Sequence, residues 1–259
     1  RFNAALSVTA GLSAGILVYR ERKSRRLVER VAAAALETLL NAIEANDEDT
    51  GMHVRRVAAY ALVIGAELGL EEHQCRSVER IALFHDVGKI HQALFDIVHD
   101  GKPLSRDERR KIATHQQRGA QVLAPLATFY PDLPAGVLSH HERWDGTGYP
   151  RHLRGEQIPL EARVVTIADT FDALTHNRRY RRGRSVEAAL KVIREGRGKQ
   201  FDPALVDLVD TPSVTKRLAR THLRQTKHRA ESGKNVRRTH SRERAPDVSF
   251  RWRSESLHT

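Results

Sequence analysis

Residues 140–150, with the sequence HHERWDGTGYP, combine side chains that bind metals with a turn suited to phosphate. Two adjacent histidines open the stretch, and imidazole is the most common metal ligand among side chains. Two carboxylates follow, which can bind a metal ion or orient a histidine that does. Glycines and a proline then favour a tight turn whose backbone can approach a phosphate closely. The stretch therefore indicates metal-assisted chemistry on a phosphate-containing substrate. These residues are His140, His141, Glu142, Asp145, Gly146, Gly148 and Pro150.

Histidines and carboxylates elsewhere in the chain extend the set of candidate ligands. An apolar run typical of a helix ends in the adjacent pair His85 and Asp86. Lys89 follows closely enough to direct its ammonium group into the same site. Asp169 stands among apolar neighbours, where a charged carboxylate is costly unless it is paired or bound to a metal. The remaining candidates are Asp49, His53 and His115.

The elements that must position these side chains are predicted to be helices. Apolar residues recur at three- and four-residue steps through most of residues 47–210. Glycine and proline clusters separate the periodic segments, and one long loop is expected around residues 144–160. No alternating pattern of useful length predicts a strand. The predicted helices are 53–69, 76–90, 106–127, 161–175 and 185–195.

The order of the candidate ligands, H…HD…H…HH…D with the glycine loop after the paired histidines, resembles the HD-GYP subclass of the HD metal-dependent phosphohydrolases. The resemblance covers about residues 47–205 and includes both name-giving motifs, His85-Asp86 and Gly148-Tyr149-Pro150. It implies an all-α fold, an HD-domain helical bundle with a long GYP loop. It also implies a bacterial phosphodiesterase that hydrolyses cyclic di-GMP to pGpG or GMP with metal-activated water.

The resemblance further implies roles for individual residues and a cofactor of two iron or manganese ions. Asp86 and Lys89 are expected to be catalytic. The expected metal ligands are His53, His85, Asp86, His115, His140, His141 and Asp169, with Asp49 as a ligand of a third ion. The expected substrate contacts are Lys89, Asp145, Gly148, Tyr149, Pro150, Asp172, Arg178 and Arg181.

Three departures from the family pattern leave alternatives open. Asp49 stands where some members have a glutamate, and its shorter side chain weakens the expectation of a third ion. Residues 91–100 differ from the usual sequence beside the site, which keeps another nucleotide open as the substrate. The segment 177–180 lacks the usual proline. A catalytically weak receptor for cyclic di-GMP is a third alternative, although the complete ligand set speaks against it.

The net charge of +12 is concentrated outside the predicted domain. Residues 31–210 carry a net charge of −2, whereas residues 211–259 hold 13 Lys and Arg against 4 Asp and Glu. The domain therefore has no basic footprint for a nucleic acid, and no specific nucleic-acid binding is expected. Residues 211–259 lack apolar periodicity and are predicted to be a disordered basic tail. Histidines without a partner pattern, expected at the surface, are His73, His91, His99, His152 and His176.

The N-terminal region is predicted to connect the domain to a membrane. Residues 2–19 are uncharged and would span roughly 27 Å as a helix, enough for a bilayer core. Basic residues follow within 20–46, which places the domain at the cytoplasmic face of the inner membrane. A buried helix or a signal-like segment is the alternative for 2–19, and the domain would then be cytoplasmic. The helical pattern of 27–46 fits either pairing with a second copy in a homodimer or a first packing helix of the domain.

Overall fold

The computed structural model describes residues 2–90, 105–177 and 182–239, and these residues are mainly helical. Within these ranges there is no strand, so the all-α prediction is confirmed. Short 3-10 turns lie at Val87–Ile90, Ala124–Leu126 and Gly155–Gln157. The helices are α1 (Phe2–Asn46), α2 (Glu48–Glu67), α3 (Glu72–Phe84), α4 (Arg106–Ile112), α5 (His115–Leu123), α6 (Asp132–Ser139), α7 (Leu160–Thr175), α8 (Val186–Glu195), α9 (Pro203–Val209) and α10 (Pro212–Thr239).

The chain divides into two compact units at Ala219, and the first unit contains every candidate ligand. Its core forms where α2, α3 and α7 pack against one another. The ring of Tyr60 from α2 meets Phe171 from α7 edge-to-face, with centroids 4.9 Å apart. Both rings are fully buried, and an aromatic pair in this geometry adds to the stabilisation from burial alone. The core therefore fixes two of the helices that carry predicted ligands.

The predicted helices are present, but two of them end earlier than the apolar pattern suggested. Helix α3 stops at Phe84, and residues 87–90 form a separate turn. This turn packs directly on the start of α5, because a Cβ on Gly88 would overlap the carbonyl oxygen of His115. The segment predicted as one helix at 106–127 is divided into α4 and α5 by residues 113–114. These breaks matter because they place histidines at helix ends.

Helix α6 was not predicted, since its proline and glycine suggested a separator. Pro134 lies in the first turn, where backbone N–H groups have no partner within the helix, so it costs no hydrogen bond. Gly136 lets the helix approach Ile81 of α3, because a Cβ at this position would overlap the Ile81 side chain. The residues that argued against a helix therefore allow this one to start and to pack closely.

Helix α1 is continuous, and its C-terminal part is the first packing helix of the domain. Leu36, Leu40 and Ile43 are buried in the core, whereas Leu27 and Val31 lie exposed on the opposite side of the helix. That exposed apolar side is available for pairing with a second copy. Among the residues that were described, none of the helices is both long and apolar enough to cross a membrane. The span predicted at 2–19 gains no support from this structure.

Helix α1 also packs tightly against α2, one turn before a predicted ligand. Arg55 of α2 forms an ion pair with Glu44 of α1. Gly51 lies so close to Glu44 that a Cβ at this position would overlap that side chain. The two helices therefore meet at the level of His53 without space between them.

The prediction of disorder from residue 211 was wrong for the start of the tail. Residues 212–239 form α10, and Val214 and Leu218 are buried in the core. The two apolar residues are four apart and form a single apolar turn among basic residues, which is too short to register as periodicity. Residues 240–259 lie outside the described residues. The folded domain therefore extends beyond residue 210.

Replacing Leu218 with alanine should lower the free energy of unfolding by about 2–5 kcal/mol, because a buried leucine leaves a cavity. Leu223 lies on the same helix and is exposed, so Leu223→Ala should change it by less than about 0.5 kcal/mol. Urea denaturation followed by circular dichroism measures both. Equal effects of the two substitutions would show that α10 does not contribute to the core.

Candidate metal centre

The candidate ligands converge in two groups. His53, His85 and Asp169 form one, which we call the His53 group, and their ligand atoms lie within 4.8 Å of one another. His115, His140 and His141 form the other, the His115 group, within the same limit. The first group joins α2, α7 and the end of α3. The second joins the start of α5 to the end of α6. Five separate chain segments thus meet at one centre.

Asp86 lies between the two groups. Its Oδ1 is 3.2 Å from Nε2 of His115, and its Oδ2 is 3.5 Å from Nε2 of His85 and 3.8 Å from Nε2 of His53. One carboxylate therefore faces both groups, as a bridging ligand must. The Nζ atom of Lys89 lies 2.6 Å from Oδ2 of Asp86, and about a quarter of the lysine side chain is exposed. Lys89 thus reaches the centre from the solvent side.

Three of the histidines are oriented in the same way, by a carbonyl in the last turn of a helix. The Nδ1 atoms of His85, His115 and His140 lie 2.6–2.8 Å from the carbonyl oxygens of the residues three positions earlier. Carbonyls in the last turn of a helix have no partner within it, so they are free to accept. Since a carbonyl can only accept, Nδ1 must carry the proton. Each Nε2 therefore presents a lone pair to the centre.

His53 is oriented by a carboxylate instead. Its Nδ1 lies 2.7 Å from Oδ2 of Asp172, and the same carboxylate accepts hydrogen bonds from Arg56 and faces Nδ1 of His176 at 3.0 Å. Burial opposes ionisation, but hydrogen bonds from His176, His53 and Arg56 hold the pKa of Asp172 well below its ordinary value. Asp172 is therefore an ionised carboxylate behind His53.

This network corrects two expectations. Asp172 was expected to contact substrate, but it is only 1% exposed and its oxygens are engaged by protein side chains. His176 was expected at the surface, but it is buried beside Asp172. Sequence reasoning also missed Arg56. Its signal was spacing: Arg56 and Asp172 each follow a ligand of the His53 group by three residues, which puts them on the ligand's side of α2 and α7.

The electrostatics of the centre favour cations between its side chains. Burial and the neighbouring His141 hold the pKa of His140 well below its ordinary value, and burial together with His115 lowers the pKa of His141 to about 4. Burial opposes ionisation of Asp86, but Lys89, His85 and His115 hold the pKa of that carboxyl well below its ordinary value. Burial also disfavours charge on His53, yet hydrogen bonds to Asp169 and Asp172 raise its pKa to about 9. His140 and His141 are therefore neutral imidazoles near the ionised Asp86 carboxylate, whereas His53 is protonated between its two carboxylate partners.

Lone pairs consequently face each other inside the protein. The Nε2 atoms of His115 and His140 are 3.2 Å apart, and both Nδ1 protons are donated elsewhere. Within the described part of the chain, the buried Nε2 of His85 and Oδ1 of Asp86 have no hydrogen-bond partner. Converging acceptors without a donor are costly unless a cation lies among them. The residues present thus fit divalent metal ions.

The glycine loop brings Tyr149 beside the His115 group. Buried Glu142 accepts hydrogen bonds from the backbone N–H groups of Arg151 and Leu153, which folds the loop back on itself. Gly148 is required because a Cβ there would overlap the backbone of residues 142–143. The Tyr149 ring stacks on His141, with centroids 5.3 Å apart and planes 25° apart. The loop therefore places an aromatic side chain directly on a candidate metal ligand.

Other predicted site residues have different positions. Burial opposes ionisation of Asp145, but hydrogen bonds that it accepts from Thr147 and Arg143 within the loop lower its pKa to about 2. Its carboxylate therefore holds the turn. Pro150 follows Tyr149 through a cis peptide bond. Asp49 is exposed in the first turn of α2 and belongs to neither group. Arg178, Arg181 and residues 91–100 lie outside the described residues.

The model of the HD domain family matches residues 37–205. A cyclic di-GMP phosphodiesterase response regulator of Xanthomonas campestris is 39% identical over 181 residues, which are 70% of this chain and 48% of that protein. The 3'3'-cGAMP-specific phosphodiesterase 2 of Vibrio cholerae is 35% identical over 173 residues, 66% of this chain and 33% of that protein. The chain thus spans half or less of these two relatives.

Among solved structures, an HDG"Y"P protein from Bdellovibrio bacteriovorus has a similar fold, with a TM-score of 0.52 at 20% identity. The similarity covers 70% of this chain and 61% of that one. It supports the helical architecture described above.

Asp86→Ala should remove bound metal, because both groups lose the carboxylate between them, whereas Asp49→Ala should retain it. Elemental analysis by inductively coupled plasma mass spectrometry, after purification with iron or manganese, measures the difference. Circular dichroism verifies that both variants fold. Full metal content in Asp86→Ala would refute the assignment of Asp86 as a metal ligand. Loss of one ion in Asp49→Ala would instead support Asp49 as a ligand of a third ion.

Proposed function

The chain belongs to the HD domain family and to its HD-GYP type, and from this premise we propose that it is a metal-dependent phosphodiesterase for a cyclic dinucleotide. The proposed substrate is cyclic di-GMP, hydrolysed to pGpG, to GMP or to both. The proposed role is removal of a bacterial second messenger.

The observation that carries this proposal is the position of Asp86 between the two ligand groups. Divalent cations held there would lower the pKa of a water molecule and neutralise charge on the phosphodiester. Six histidine and carboxylate ligands besides Asp86 are available, and mixed imidazole and carboxylate ligation suits iron or manganese better than magnesium. We therefore propose two ions, each iron or manganese.

The protein's own side chains supply the remaining requirements. Lys89 carries a positive charge at the solvent side of the centre, where its ammonium group can pair with a phosphate oxygen as charge develops. Tyr149 offers a hydroxyl and a ring face beside the same group of ligands. Asp172 and the three backbone carbonyls keep the imidazoles fixed, so that little reorganisation is needed during the reaction.

A second candidate substrate is 3'3'-cGAMP, because a relative 35% identical to this chain carries that specificity in its name. The two cyclic dinucleotides share the phosphodiester ring and differ in one base. The metal centre described above acts on the part that they share. Base selection is therefore expected from segments such as 91–100 and from Arg178 and Arg181.

Purified protein loaded anaerobically with Fe(II) or Mn(II) should convert cyclic di-GMP to pGpG or GMP. Ion-pair chromatography measures the products. 3'3'-cGAMP is assayed in parallel, and Asp86→Ala should give no product above background because the carboxylate between the two ligand groups is lost. Asp207→Asn, which removes an exposed carboxylate paired with Arg197 away from the centre, should retain wild-type turnover. Faster turnover of 3'3'-cGAMP would favour the second substrate. Tight binding of cyclic di-GMP without product would favour a receptor.

Helix α1 carries a separate part of the proposal, namely attachment to a membrane through residues 2–19 and pairing through residues 27–46. The exposed side chains of Leu27 and Val31 support pairing, since both are apolar and more than 60% exposed. Light scattering after size exclusion should give twice the mass of one chain. Replacing both residues with glutamate should halve that mass, whereas Glu37→Ala, at an exposed position of α1 off that side, should not. A monomeric wild-type chain would contradict the pairing.

A further inference from the structure

Thr166 is a buried threonine on α7 that the mechanism above does not use. It is 8% exposed, and it lies one turn before Asp169 on the same helix. Its hydroxyl oxygen is 2.7 Å from the carbonyl oxygen of His140, the residue directly after α6. This hydrogen bond therefore joins the helix that carries Asp169, from the His53 group, to the backbone of a member of the His115 group.

The hydroxyl oxygen of Thr166 has a second acceptor within reach, the carbonyl of Ala162 at 2.8 Å. A threonine hydroxyl has one proton, so it favours one of the two carbonyls. The Ala162 carbonyl lies inside α7, where the backbone N–H of Thr166 satisfies it. The His140 carbonyl lies past the last residue of α6, where the helix supplies no donor, and an unsatisfied carbonyl in this buried residue would be costly. The proton is therefore directed across to His140.

Thr170, one turn further along α7, shows what is particular to Thr166. Its hydroxyl also lies near a carbonyl four residues earlier, that of Thr166, at 2.8 Å. This bond stays within α7 and does not influence how α7 meets α6. The two threonines thus share a contact within the helix and differ in the bond to His140. Thr170 is therefore a matched control for Thr166.

The separation of the two ligand groups depends on how α7 lies against the end of α6. The carbonyl of Val137 orients the His140 ring within α6, but this bond does not set the distance from His140 to Asp169. Asp86 faces both groups with one carboxylate, whose two oxygens are a fixed distance apart. It can therefore serve both groups only over a narrow range of separations. A hydrogen bond from α7 to the His140 backbone restricts that separation.

We infer that Thr166 is a positioning residue, whose hydroxyl holds the backbone of His140 against α7 and thereby sets the distance between the two ligand groups. A first ion requires the side chains of one group. A second ion requires both groups at a separation that Asp86 can bridge, so the hydroxyl acts on the binding of the second ion. This inference rests on the two ions of the proposed function and is independent of the substrate.

The hydrogen bond is tested by nuclear magnetic resonance on the full chain, labelled with carbon-13 and nitrogen-15 in histidine alone. His140 and His141 are the only adjacent histidines in the sequence, so an experiment that correlates each carbonyl carbon with the following amide gives one signal. Diamagnetic Zn(II) replaces iron and manganese in the sample. Thr166→Val should move the carbonyl frequency upfield, because the oxygen loses its donor, whereas Thr166→Ser and Thr170→Val should leave it in place. An unmoved signal in Thr166→Val would overturn the inference.

The consequence for metal binding is tested by titration with Mn(II), in which electron paramagnetic resonance measures the free ion. Thr166→Val should weaken binding of the second ion about tenfold, the effect of one hydrogen bond, and leave the affinity for the first ion unchanged. Thr166→Ser keeps the hydroxyl and should restore the wild-type affinity. Thr170→Val should match the wild type for both ions.

The remaining outcomes separate this inference from the proposed function. Equal weakening of both ions in Thr166→Val, or the same weakening in Thr170→Val, would mean a general loss of stability and would overturn the inference. Failure of Thr166→Ser to restore the second ion would also overturn it. A wild-type chain that binds two ions and hydrolyses neither cyclic dinucleotide would refute the proposed function alone. A wild-type chain that binds a single ion would overturn both.

Discussion

The whole centre depends on one hydrogen bond repeated three times, from the Nδ1 of a histidine to a carbonyl at the end of a helix. His85, His115 and His140 each use it. A carbonyl that would otherwise lack a partner fixes the tautomer, the ring orientation and the direction of the lone pair. The helix ends must therefore meet at one point. The short helices α4 to α6 and the turn at Val87–Ile90 are the architecture that brings these ends together.

This arrangement has an energetic consequence for the folded state. Because three imidazoles are fixed in the same tautomer, their Nε2 lone pairs face one another. The Nε2 atoms of His115 and His140 are 3.2 Å apart. A metal ion bound there would relieve that opposition, and its binding free energy would contribute to folding. The ionised Asp172 behind His53 is itself paired with Arg56, so it orients that imidazole without leaving an uncompensated charge.

Much of the centre could be predicted from sequence, because its ligands are chemically distinctive residue types at recognisable spacings. All seven predicted ligands of the two-ion site fall in the two groups or between them. The helices with long apolar stripes were also predictable. Helix α6 was not, because Pro134 and Gly136 stabilise a helix only in a particular place and packing. His176 shows the same limit. Its burial depends on Asp172, which lies one turn earlier on α7 and faces inward only in the folded protein. Local pattern identifies reactive side chains, whereas tertiary contacts decide which of them support the others.

The close contact between α1 and α2 determines how the N-terminal region can influence this centre. Gly51 and Glu44 leave no gap between the helices, and His53 follows Gly51 by two residues. A rotation or axial shift of α1 would therefore press on α2 at this point. A signal arriving along α1 would therefore alter the coordination geometry itself, rather than open or close a path for the substrate. The candidate metal centre would then respond directly to a movement of α1.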